Sequence, residues 1–166
     1  VSGTEFADLD ALARLVGQVP ARDWSDEHDR LDLYRSALRN GVDDDRLRAL
    51  LRGEPDDLVV SDVLAEAIYK ASPEAGERWL DVAPPSAMDF LKKRLREILL
   101  LRGVAGFEDG GTSYVAAVLD GSNWLQIRVA ENSPRRDVLM ALAKDGRTKR
   151  IRNIAANRAA TRASRG

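Results

Sequence analysis

Ser113-Tyr-Val-Ala-Ala-Val-Leu-Asp-Gly-Ser-Asn-Trp-Leu-Gln-Ile-Arg-Val-Ala-Glu-Asn132 and Val138-Leu-Met-Ala-Leu-Ala-Lys-Asp-Gly-Arg-Thr-Lys-Arg-Ile-Arg-Asn-Ile-Ala-Ala-Asn157 are two writings of one pattern. Overlaid at a period of 25 they agree at five of twenty positions: Ala116/Ala141, Asp120/Asp145, Gly121/Gly146, Ala130/Ala155 and Asn132/Asn157, with Val129/Ile154 a conservative match. In each, an apolar helical run stops at Asp-Gly, a turn signal, because glycine accepts the positive φ that other residues resist. A second helix follows, carries a Val/Ile-Ala pair and closes on Asn, which tolerates a left-handed conformation. Ala130 and Ala155 are small enough to let helices approach. A helix pair of this size cannot bury its own apolar face, and stacking on a neighbour solves that problem.

The pattern Leu142-Ala143-Lys144-Asp145, Ile151-Arg152, Ile154-Ala155-Ala156-Asn157 resembles the HEAT-like units called leucine-rich repeat variants. Val129-Ala130-Glu131-Asn132, with Pro134 behind it, fits the end of the preceding unit. Ile127-Arg128 stands one residue out of register with Ile151-Arg152, and Arg158 stands where the family pattern has Pro. The resemblance covers about 113–158, less than a third of the chain. It implies a helical binding scaffold with no fixed activity.

Outward from this segment the chain reads as helix throughout. Phe6, Leu9, Leu12, Leu15 and Val16 give a first amphipathic helix, capped by Ser2 or Thr4 and ended by Pro20. A second, about 25–39, has Ser25 as its candidate cap and stops at Asn40-Gly41. Asp43, Asp44 and Asp45 open a third that stops at Gly53. Val60, Val63, Leu64, Ala67 and Ile68 space a fourth, about 58–71. Ser72-Pro73 starts a short fifth. After the Pro84-Pro85 joint, Ser86 caps a long central helix, 86–103, apolar at Met88, Leu91, Leu95, Ile98 and Leu99. Residues 106–111 are a loop. Thr112 to Leu119 is the one place with strand-favouring residues, and a lone strand would have no partner. The expected architecture is one all-α domain over 1–166: a stack of nine or ten short helices, irregular pairs over 1–84, two repeat units at 113–158 and a frayed basic tail at 159–166.

Composition excludes several function classes. The 166 residues hold no cysteine, so there are no disulfides or thiolate metal sites. His28 is the only histidine, which excludes a His pair or triad of metal ligands. It sits between Glu27 and Asp29 and reads as a solvated surface residue. No phosphate-binding glycine loop occurs, and Gly110-Gly111-Thr112 is a loop before a helix. Asp43-Asp44-Asp45 lacks the spaced ligands of a calcium loop. Neither cofactor nor metal is expected. No stretch approaches the ~18 apolar residues of a membrane span, and no signal peptide is evident, so a cytoplasmic protein is the expectation.

Charge is uneven. Residues 135–166 hold ten Lys/Arg against two Asp, a net of +8, whereas 1–134 hold sixteen against twenty-five acids, a net of −9. Lys144, Arg147, Lys149, Arg150, Arg152 and Arg158 form the candidate basic surface. It would attract phosphates or an acidic protein. The competing structural reading is that these cations complement helix C-termini or give an end unit its polar face. A second cluster, Lys92, Lys93, Arg94 and Arg96, reads as a solvated helix face. No aromatic residues interleave with either, which argues against base stacking. The expected function is a non-enzymatic helical-repeat interaction module with a protein partner. A nucleic-acid-binding protein is the alternative, and a HEAT-like enzyme acting on nucleic acid through Trp124 and Asp120 is the minor one.

Overall fold

A computed structural model describes residues 3–20, 23–103 and 114–163, with the backbone alone for 3–6, 162 and 163. It is all-helical among the described residues. Ten α-helices are present: α1 Gly3–Leu15, α2 Glu27–Arg39, α3 Asp44–Arg52, α4 Asp57–Lys70, α5 Pro73–Trp79, α6 Met88–Leu101, α7 Tyr114–Asp120, α8 Asn123–Asn132, α9 Arg136–Asp145 and α10 Lys149–Ala163, with a 3-10 turn at Leu80–Val82 after α5. Of Thr112 to Leu119, where a strand was conceivable, the described residues from Tyr114 on belong to helix α7. None of the described helices is long and apolar enough to cross a membrane. The chain divides into two compact units, Val1–Leu95 and Arg96–Gly166; the division falls inside α6 and not at Pro84-Pro85.

In the first unit, acidic side chains start the helices. Asp26, Asp43 and Asp56 accept from the backbone N–H of His28, Arg46 and Leu58 at 2.8, 3.0 and 2.8 Å. This satisfies donors that a helix start leaves open and suits the positive end of its dipole. Ser25 is not the cap of α2; its hydroxyl is donated to Asp23. Ser86 likewise does not cap α6 and donates to Asp57. Ser72 caps α5 with Pro73 at the first position, as its sequence signals. The core contains Leu12, Leu33, Leu47, Leu51, Leu64, Ile68, Trp79 and Leu91, all at most 2% exposed. A buried ion pair crosses it: Arg30 Nε lies 3.0 and 3.1 Å from the two Glu54 carboxylate oxygens, and Nη2 lies 3.0 Å from Oε1.

The second unit packs its helices pairwise. α7 lies on α9 and α8 on α10, while α9 and α10 pair along their lengths. Its core joins Leu100, Val118, Leu125, Val129, Ala130, Val138, Leu139, Leu142, Ile151, Ala155 and Ala159. Ala130 and Ala155 are fully buried, as small helix-contact residues should be. Leu99, expected inside, is only half-buried, and its neighbour Leu100 takes the core position; Ile154 is half-buried too.

Two further expectations are corrected here. Gly121 and Gly146 do not adopt positive φ, which among the described residues belongs to Gly17, Gly41 and Gly103. Glycine is required at the Asp-Gly joints by close approach. A Cβ on Gly146 would stand 2.5 Å from the Leu142 carbonyl oxygen and 2.8 Å from Ile151 Cγ2, and one on Gly121 would run into Leu125 Cδ2. Nor does Asn157 end its helix: α10 runs on to Ala163, and Ala159 is buried, so the described part of the 159–166 tail is helical. The Gly106–Gly111 loop lies outside the described residues.

Candidate functional site

Five of the six basic residues singled out by sequence, Lys144, Arg147, Lys149, Arg150 and Arg152, gather where α9 turns into α10, and Arg158 lies further along α10. The Gly146 N–H bonds the Leu142 carbonyl at 2.9 Å, which closes α9. Thr148 then starts α10: its Oγ1 accepts from the Ile151 N–H at 3.2 Å, and its carbonyl accepts from the Arg152 N–H at 3.1 Å. Below the turn lies Gln126 of α8, completely buried. Its Nε2 donates to the Leu119 carbonyl at 2.6 Å and its Oε1 accepts from the Arg147 N–H at 2.9 Å. One uncharged side chain thus ties the end of α7 to the start of the next turn, and both halves of its amide are used.

Six residues were expected to form one cationic surface, and they divide by what holds them. Arg147 Nη1 donates to the Gly121 carbonyl at 2.9 Å, and Arg152 Nη1 to the Gly146 carbonyl at 2.6 Å. Both carbonyls follow helix C-termini, where acceptors lack intrahelical partners and cations are favoured. For these two residues the structural role is real. Arg158 is half-buried, with its Nε enclosed and without a hydrogen-bond partner. Lys144, Lys149 and Arg150 are exposed and make no ion pair among the described residues. Lys144 closes α9, a favourable end for a cation. Lys149 and Arg150 occupy the first turn of α10, where the helix dipole opposes them and no acidic residue offsets them.

The surface extends beyond the sequence-based set. Arg136, the first residue of α9, is exposed without an ion pair among the described residues, and Met140, 54% exposed, lies between Arg136 and Lys144 at four-residue steps. That spacing was visible in the sequence, but the exposed face of α9 was not. Arg135 is used differently: it pairs with Asp137 at 2.6 Å, holds that carboxyl below its usual range through the hydrogen bond, and lies over the Tyr114 ring at 5.0 Å.

The enzyme reading rests on Trp124 and Asp120. Trp124 is half-buried against the core of the second unit, with Arg128 at 6.0 Å from its ring, and Asp120 is exposed at the end of α7. His28 is exposed, as expected. Its Nδ1 lies 3.2 Å from Asp26 Oδ1, and Asp26, Glu27 and His28 bring ligand atoms within 4.8 Å of one another. Asp26 is already the cap of α2, so helix initiation accounts for this acidic cluster. In the other basic cluster, Lys92, Lys93 and Arg96 are exposed, as a solvated face requires, and Arg94 lies 5.4 Å from the Phe90 ring. Comparison of the chain with family models, curated proteins and solved structures finds no match.

Proposed function

We propose that the chain is a non-enzymatic interaction module and that the α9–α10 corner takes an acidic protein surface. One observation carries this reading: Lys144, Lys149 and Arg150 stand exposed at one turn without an ion pair among the described residues, two of them where their charge works against their own helix. A cation so placed costs helix stability unless an anion answers it. The stacking of α7 on α9 and α8 on α10, with α7 joined to α8 and α9 to α10 at Asp-Gly, supports reading 113–158 as two HEAT-like repeat units. Met140 between Arg136 and Lys144 offers an apolar contact amid the charges, which suits a protein partner better than a phosphate backbone.

The test is fluorescence anisotropy of the intact chain with three labelled probes: an acidic amphipathic peptide, single-stranded DNA and duplex DNA. The expected result is peptide binding that weakens with salt and is lost in Lys144→Ala/Lys149→Ala/Arg150→Ala. At about 50 mM salt, where phosphate contacts are strong, neither DNA probe should bind. DNA binding that disappears in the triple variant would transfer the site to nucleic acid. Peptide binding unaffected by the triple variant would remove the corner from the account.

A further inference from the structure

A second feature, in the first unit, is independent of the basic corner. A cavity of about 310 Å³ opens among α1, the turn before α2, α2, α3 and the segment that follows α3. Its floor is buried and is made by Leu9, Trp24, Arg30, Tyr34 and the Glu54 side chain, whereas Asp8 and Ala49 stand exposed at its mouth. Binding sites for small molecules are of this kind: mostly apolar walls with a few converging polar groups.

The polar groups at the floor can be accounted for donor by donor. Trp24 Nε1 is committed to Asp10 at 2.9 Å. Glu54 accepts from Arg30 Nε on both oxygens, at 3.0 and 3.1 Å, and from the Asp56 N–H at 3.2 Å, and Arg30 Nη2 stands 3.0 Å from its Oε1. Arg30 Nη1 donates to the Trp24 and Ser25 carbonyls at 2.6 and 3.0 Å. A guanidinium has five N–H donors, so one hydrogen on Nη2 is left over. The floor therefore offers a charged donor on Arg30, beside the Tyr34 hydroxyl, which can donate or accept. Its charge is already cancelled. An anion would meet Glu54 beneath it and Asp8 at the mouth, and a cation would be brought against Arg30.

Volume narrows the class further. A dry apolar cavity of about 150 Å³ is known to hold benzene, and this one is about twice that size. We infer that the cavity binds an uncharged aromatic molecule of one or two rings that presents a carbonyl or ring-nitrogen acceptor to Arg30. The aromatic part lies against Trp24, Tyr34 and Leu9, and the acceptor takes the remaining Nη2 hydrogen.

The experiment uses the intact protein, nitrogen-labelled for NMR and titrated near neutral pH with quinoline, its carbon isostere naphthalene and the anion 2-naphthoate. Quinoline should bind at one site and shift the Trp24 indole N–H and the amides of Leu9 and Ala49. Naphthalene should bind about tenfold more weakly, as expected for losing one hydrogen bond to a charged donor. Naphthoate should be weaker than quinoline as well. Ala49→Trp, at an exposed position on the mouth, should weaken quinoline binding at least about tenfold while leaving the melting temperature in place. The inference is overturned if quinoline does not bind, if its shifts map elsewhere, if naphthalene or naphthoate binds as well as quinoline, or if a folded Ala49→Trp protein binds it unchanged.

Discussion

The two units differ in how much of their arginine and lysine is answered by carboxylates. In the first, with thirteen basic and twenty acidic residues, several cations meet carboxylates: Arg30 meets Glu54, Arg35 meets Asp62 and Glu66, Lys70 meets Glu66, and Arg48 and Arg78 meet Asp45. In the second, with thirteen basic and seven acidic residues, Arg135 pairs with Asp137, Arg147 and Arg152 are answered by main-chain carbonyls, and Lys144, Lys149 and Arg150 make no ion pair among the described residues. The first unit buries the Arg30–Glu54 ion pair, and the second buries the neutral amide of Gln126 and the Glu97 carboxylate, which accepts from the Ser122 N–H and hydroxyl at 2.8 and 2.9 Å. Positive charge that the fold consumes cannot recruit a partner, so the unspent charge of the second unit is where binding is sought.

The largest expected effect breaks the ion pair. Glu54→Ala leaves the Arg30 guanidinium, 8% exposed, without its counter-charge, and should destabilise the protein by about 3–5 kcal/mol in urea unfolding. A loss under about 1 kcal/mol would mean that Arg30 finds water or another acceptor, which would weaken the contrast between the units. Tyr34 beside this pair adds a pH dependence. Burial first, then the Glu54 charge, pushes its hydroxyl up from the ordinary 10.0. The unfolded chain then releases this proton near pH 10 while the folded chain keeps it, so this contribution to stability is whole below pH 10 and falls as pH rises above it. Unfolding free energies measured between pH 8 and 11 should show the decline, and Tyr34→Phe should reduce it, leaving the smaller share of Tyr114, which burial also pushes up.

Smaller effects sharpen the picture of the second unit. Gly146→Ala would push a methyl against the Leu142 carbonyl and Ile151 and should cost about 1–3 kcal/mol. Gly53→Ala, whose added carbon would meet no heavy atom closer than 3.5 Å, is the control and should stay within about 0.5 kcal/mol. Equal effects at the two positions would refute close approach as the reason for the Asp-Gly joint. Gln126→Leu conserves volume but strands the Leu119 carbonyl and the Arg147 N–H, and should cost about 1–3 kcal/mol by thermal unfolding.

Much of the fold was legible because helix signals are local. Apolar spacing located most of the described helices, α7 followed from the lack of a partner for a lone strand, and Asp43 and Ser72-Pro73 marked helix starts correctly. The run Ile98 to Leu101 was not resolved: four consecutive apolar residues cover too wide an arc for periodicity to choose Leu100 over Leu99. The Asp-Gly joints were legible in place but not in cause, since a steric conflict with Ile151 or Leu125 exists only after packing. The basic cluster was visible as charge. Its division was not, because Arg147 and Arg152 bond carbonyls, which every residue carries and no sequence pattern marks. The Arg30–Glu54 pair spans 24 residues with no local signature at all.

The smallest expected change in stability belongs to the most direct test. Lys149→Glu/Arg150→Glu places anions in the first turn of α10, where the dipole favours them, and touches no described contact. Melting temperature and affinity for the acidic amphipathic peptide should be measured on the same preparation. If the corner keeps its cations for a partner at the expense of the helix, the variant melts a few degrees higher and no longer binds the peptide. A variant that melts no higher and binds the peptide as the parent does would contradict the proposal.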